Sequence, residues 1–139
     1  MQSKLGRFTL IVRNYEEATT FYVDKLGFEI ITDQVSSRHR FVHLGCAGQF
    51  PVGLWLWEAS QDELHLVGNQ AGNHPLLVMY SEDCISDYYK WLDRGVRFLN
   101  EPVQTQTEIF VHAQDLYGNE IVLVEMINVT KSRKKRSRR

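Results

Sequence analysis

Trp55 and Trp57 stand two residues apart in the run V-G-L-W-L-W-E (52–58), so on a strand both rings project from one side. A flat aromatic or amphipathic molecule can stack on such a pair. Arg7 and Thr9 share a side of R-F-T-L-I-V-R (7–13) in the same way, and Phe110 and His112 share a side of the run 108–113. A guanidinium and imidazoles are groups that orient a carboxylate or a phenol. A buried guanidinium without a partner is costly, so Arg7 calls for an anion, with Glu120 and Glu58 as the chain's own candidates. His74 opens a further apolar run, 74–80. Large aromatics mixed with a few polar groups are the make-up of a small-molecule pocket. Each of these residues also has a structural alternative: tryptophans as core, histidines as hydrogen-bonded structure, Arg7 as half of an internal ion pair.

Other chemistries find less support. Cys46 and Cys84 are the only cysteines, have no C-x-x-C spacing and lack a local base, so they read as reduced structural thiols. No Gly-rich phosphate loop and no Ser-His-Asp order occurs. His43, His65 and Glu125 match no ligand spacing. His43 lies on a strand whose facing the sequence leaves open, His65 falls in a loop, and Glu125 alternates away from Val122 and Val124.

The elements that must position these residues follow from periodicity. Asn14 is a good N-cap, Glu16 and Glu17 suit the first turn, and Ala18, Phe21, Tyr22 and Leu26 recur at helical spacing until Gly27 stops the helix. Residues 28–32, 40–44 and 52–58 read as strands, with a polar break at Ser36-Ser37-Arg38. Residues 62–73 are expected to be a connecting loop. A strand over 74–80, a helix over 83–93 ended by Gly95, and strands over 96–99, 108–113 and 120–126 then repeat the order. The two helix-ending glycines are 68 residues apart in number, so the chain reads as a duplicated β-α-β-β-β module. A tight turn, Asp115-Leu116-Tyr117-Gly118-Asn119, feeds the last strand, on which Glu120, Val122 and Val124 share a face.

At 139 residues, with 43% hydrophobic and 24% charged residues, the chain is expected to form one domain over 1–128, built of modules at about 5–60 and 74–127. No apolar run approaches a membrane span, and the polar N-terminal region suggests a cytoplasmic protein. The net charge of −1 averages two unlike regions. Setting aside seven basic residues in Lys131–Arg139 leaves 9 Lys and Arg against 17 Asp and Glu, so the body carries about −8. An acidic body argues against a nucleic-acid-binding surface. The basic tail, 129–139, is expected to be disordered and to contact polyanions only weakly, without base stacking.

Tyr22 with Leu26-Gly27-Phe28-Glu29, followed by Asp115-x-Tyr117-Gly118-Asn119, resembles the vicinal oxygen chelate superfamily. That group includes glyoxalase I, extradiol dioxygenases, fosfomycin-resistance enzymes and bleomycin-resistance proteins. The resemblance covers residues 5–127 and implies an α+β fold of two βαβββ modules whose mixed sheets form a cup, usually as a homodimer. It also implies four metal-ligand positions, which fall here on Arg7, Trp55, His74 and Val122. Only His74 is a ligand type; Arg7 would repel a cation, and Trp55 and Val122 cannot coordinate one. The standard metal site is therefore expected to be absent, and no cofactor is expected. Glu120, on the face of Val122, is the one carboxylate offered as a substitute. Thr9 and His112 fall where the fosfomycin enzymes contact substrate. The reading that follows is a metal-independent binder of a small, partly aromatic or anionic molecule, held by Arg7, Thr9, Trp55, Trp57, His74 and His112 in the cup or a dimer cleft. The alternatives are a lyase, dioxygenase or thiol transferase using His74 with unconventional ligands, an interaction protein whose acidic body dimerises and whose tail engages polyanions, and a cup simply plugged by Trp55 and Trp57.

Overall fold

Alternation decides which way each strand faces, and the aliphatic residues choose the helix side. The computed structural model describes residues 2–127; the basic tail expected to be disordered lies outside the described residues. Two compact units are formed, one from residues up to Gly72 with Leu116–Gly118, the other from Asn73–Asp115 with the residues from Asn119 on. No helix among the described residues is long and apolar enough to cross a membrane.

In the first unit β1 (Arg7–Val12) pairs in parallel with β4 (Gly53–Glu58), and β2 (Glu29–Ser36) and β3 (His39–Gly45) continue the sheet antiparallel, in the order β1-β4-β3-β2. Leu10, Val12, Val42, Leu44, Leu54 and Leu56 are fully buried on one face. Helix α1 (Tyr15–Thr20) supplies the rest of that core with Ala18, then Phe21, Tyr22 and Leu26. Its start is the expected one: the Asn14 side chain accepts from the Glu17 N–H at 2.9 Å. Its end differs from a plain helix. Phe21–Lys25 widens into a π-type turn before Gly27, which places Tyr22 edge-on between Phe21 and Phe28. The polar break is a two-residue hairpin turn, with Ser37 and Arg38 both at positive φ.

The connection over residues 62–73 is more ordered than its composition suggests. It contains a 3-10 helix (Gln61–Leu66) opened by a Ser60–Glu63 capping box. Gln70 then accepts from the Ile11 N–H at 2.8 Å and donates to the Thr9 carbonyl at 2.7 Å, doing for the open edge of β1 what a further strand would do. Gly68 lies against the Tyr117 carbonyl, where any Cβ would collide with it.

In the second unit β5 (Leu77–Tyr80) runs parallel to β9 (Glu120–Met126), which pairs antiparallel with β8 (Glu108–Gln114); the short strands β6 (Arg97–Phe98) and β7 (Val103–Gln104) border β8. Leu77, Val111, Ala113, Ile121 and Leu123 form the helix side with Cys84 and Trp91 of α2 (Cys84–Asp93). Asp83 caps α2, and Glu125 accepts from the Cys84 N–H at 2.9 Å, confirming that Glu125 points to the helix side. One boundary is corrected. His74 and Pro75 precede β5, which begins at Leu77, the first residue paired with β9. His74 sits exposed in a bend rather than on a strand face.

Candidate functional site

Because residues paired across strands share a face, the register assembles the helix-free side of the first sheet row by row. Thr9, Trp55 and His43 form one row, Ile11 and Trp57 the next, and Arg7, Gly53 and Gly45 the row before. Phe41 and His39 extend the face along β3. The rings lie in contact: Trp55 and Trp57 centroids are 4.9 Å apart, His39 is 4.7 Å from Trp57 and 4.5 Å from Phe41, and His43 meets Trp55 edge-on at 5.6 Å. Phe41 stacks with Trp55 at 6.3 Å. All five rings are half-buried, and Thr9 is exposed.

Polar atoms on this face go unanswered. Arg7 Nε, His39 Nε2, both ring nitrogens of His43 and Trp55 Nε1 are buried without a hydrogen-bond partner among the described residues. The only other such side-chain atom there is Thr19 Oγ1, on α1. Buried polar groups are nearly always paired, so this concentration on one sheet face calls for an explanation. The carboxylates expected to serve Arg7 are engaged elsewhere: Glu58 accepts from the Tyr15 N–H at 3.0 Å, and Glu120 pairs with His112. Burial, followed by the Arg7 charge, lowers the His43 pKa below its ordinary value, so its imidazole is neutral at pH 7.

The structure therefore brings Arg7, Thr9, Trp55 and Trp57 together. It adds His39 and Phe41, which the sequence pattern does not single out, and His43, which matches no ligand spacing. A signal was present, since Val42 and Leu44 alternate with His43 exactly as Leu54 and Leu56 alternate with Trp55. His112 and His74 belong to the second unit. There His112 Nδ1 lies 2.9 Å from Glu120 Oε2, and the β8 backbone at His112 is held by Asn100 Oδ1 and by the Leu99 N–H. Val122, beside His112 in the register, faces the same way and pairs with Val78.

The residues at the four ligand positions do not fit a metal. Arg7 brings a cation, Trp55 an N–H donor and Val122 a hydrocarbon, while His74 is outside the sheet. Among the described residues no three His, Cys, Asp or Glu side chains gather to hold an ion. Thiol chemistry is also disfavoured: burial raises Cys46, and burial with Glu125, Asp87 and Asp83 nearby raises Cys84 to about 11. The Asp115–Asn119 turn is structural. Asp115 accepts from both the backbone and the side-chain N–H of Asn119 at 2.9 Å, and both residues are buried. Two surface pockets open beside α1, about 330 Å³ next to Arg13 and Tyr117 and about 530 Å³ next to Glu16 and Phe21. Neither is lined by an unanswered polar atom.

Two α-bearing units, each with a mixed sheet whose first strand runs parallel to its last, define an α+β fold of the glyoxalase/bleomycin-resistance type. The family model of the Glyoxalase/Bleomycin resistance protein/Dioxygenase superfamily matches residues 4–123, and the chain belongs to that superfamily. It is 34% identical over 122 residues to an uncharacterized protein of Shewanella frigidimarina (strain NCIMB 400), across 86% of this chain and 90% of that protein. Among solved structures it is similar to UcmS2, with a TM-score of 0.78 at 25% identity over 89% of this chain and 98% of the other. It is also similar in fold to TnmS3, an antibiotic binding protein from Streptomyces sp. CB03234, with a TM-score of 0.73 at 24% identity over 90% and 97% of the two chains.

Proposed function

We propose that this protein binds a small, partly aromatic or anionic molecule on the helix-free face of its first sheet, without a metal. One observation carries the reading: a continuous cluster of Trp55, Trp57, His39, Phe41 and His43 with unanswered polar atoms on the same side. Apolar rings give a ligand its contact area, and the few polar groups orient it. The fold that this protein shares with TnmS3, an antibiotic binding protein, supports the same reading. A homodimer, as the resemblance implies, and a cytoplasmic location belong to the proposal, and sedimentation of the full chain tests the stoichiometry. The binding itself is tested by tryptophan fluorescence against a panel of metabolites and antibiotics, with and without EDTA. Quenching that survives EDTA supports the reading; silence across the panel leaves a plugged face, and quenching abolished by EDTA leaves a metal-dependent site.

A second reading has one observation in its favour. His112 and Glu120 set two potential metal donors 2.9 Å apart on the helix-free side of the second sheet. A lyase, dioxygenase or thiol transferase would use them with unconventional partners. Stoichiometric Zn, Mn, Ni or Fe in protein purified without chelators decides for it.

A further inference from the structure

We infer that the ligand is an aromatic carboxylate, its ring on Trp55 and Trp57 and its anionic group on Arg7, with Trp55 Nε1 and His43 as further hydrogen-bond partners. The inference rests on the binding surface proposed above and names the chemical class it takes. The donor and acceptor inventory decides the class. Arg7 Nε and Trp55 Nε1 can only donate, and a neutral His43 offers one donor and one acceptor. Donors therefore outnumber acceptors among the unanswered atoms of these three residues. A neutral hydrocarbon ring would leave the donors unpaired, and an amine or ammonium would add donors where acceptors are needed. A carboxylate is acceptor-only, with two oxygens able to meet several N–H groups at once.

Charge points the same way. The Arg7 guanidinium has no ion-pair partner among the described residues, because the carboxylates first offered to it are held by Tyr15 and His112. Water can meet its N–H groups, and an anion there would in addition pair with its charge. The row containing Arg7 continues across the sheet as Gly53 and Gly45, so β4 and β3 place no side chain opposite Arg7. Gly53 cannot be replaced in place, since a Cβ there would run into the Leu44 carbonyl oxygen. The tryptophan row lies next to it, at the distance of one strand repeat, roughly 7 Å. A bicyclic ring and its carboxylate span that distance.

Isothermal titration calorimetry in EDTA, with matched acids and primary amides, tests this. The probes are 2-naphthoate with 2-naphthamide, and quinoline-2-carboxylate with its amide, on wild type, Arg7→Gln and Arg7→Lys, each checked for an intact thermal transition. The expected result is about a tenfold or larger preference for acid over amide in wild type. Arg7→Gln is expected to erase the preference with the amide affinity little changed, and Arg7→Lys to keep part of it. Equal affinities for acid and amide, or a preference that survives Arg7→Gln, overturn the carboxylate assignment and leave a neutral-ligand surface standing. If no acid or amide binds at all, the binding surface falls and this assignment with it.

Discussion

The two sheets share a connection pattern but present different chemistry on their helix-free faces. On the helix side they are alike: each packs aliphatic strand residues against a short capped helix with a large buried ring, Tyr22 just after α1 and Trp91 in α2. On the other side the first sheet carries five rings with several polar atoms unanswered. The second carries Val78, Val122 and Val124 with Phe110 and with His112, whose imidazole already has Glu120 as its partner. Folding needs the first side in both units. In the proposed reading, binding needs only one of the second sides to be left incomplete, the first sheet's.

The largest effects should show the likeness. Tyr22→Ala and Trp91→Ala each remove a buried ring and are expected to cost about 3–5 kcal/mol in urea unfolding. A cost confined to one of them breaks the equivalence of the two helix sides. Next comes the contrast: Trp55→Ala is expected to weaken binding of the quenching ligand by about ten- to a hundredfold. Val122→Ala, on the corresponding face of the second sheet, should change it by less than about threefold. Comparable losses at both positions would move the binding surface off the first sheet alone.

Acidity distinguishes the units in a third way. His43 is a base whose folded pKa lies below its unfolded value of 6.5, so the unfolded chain binds more protons as pH falls. Its neutral form contributes stability above pH 6.5 that is lost on acidification below it. Replacing it by glutamine should flatten that part of the stability profile, as urea midpoints between pH 7.5 and 5 will show; an unchanged slope would mean His43 is freely solvated. The smallest effect belongs to the second sheet. His112 and Glu120 are partly exposed, so Glu120→Gln should cost less than about 1 kcal/mol. A larger loss would make that pair a structural keystone rather than a surface contact.

Much of this was legible before any coordinates. Asn14, Gly27 and the alternation of Leu54 and Leu56 with Trp55 and Trp57 specify the start of α1, the stop after the π-type turn that follows it and the facing of β4 through local rules alone. Long-range partners decided what was not legible. His74 looks like the opening of a strand because its neighbours are apolar, but the first bond to β9 is made by the Leu76 N–H and the strand itself starts at Leu77. The loop over residues 62–73 looked unstructured because the role of Gln70 depends on β1, some sixty positions earlier in the chain. His43 is hard to place from sequence because both alternating sets of its strand are bulky, and the one signal is that Val42 and Leu44 are aliphatic and form the covered set. Arg7 was flagged as needing an anion, yet which carboxylates were already occupied could be read only from their contacts.

The most direct test follows the Trp55 indole N–H by nuclear magnetic resonance while 2-naphthoate is added to the full chain in excess EDTA. If the first sheet binds as described, that resonance shifts saturably and the Trp91 resonance, buried in the second unit, does not move. A Trp55 signal that stays fixed at saturating probe, or shifts only when a divalent metal is restored, contradicts the account.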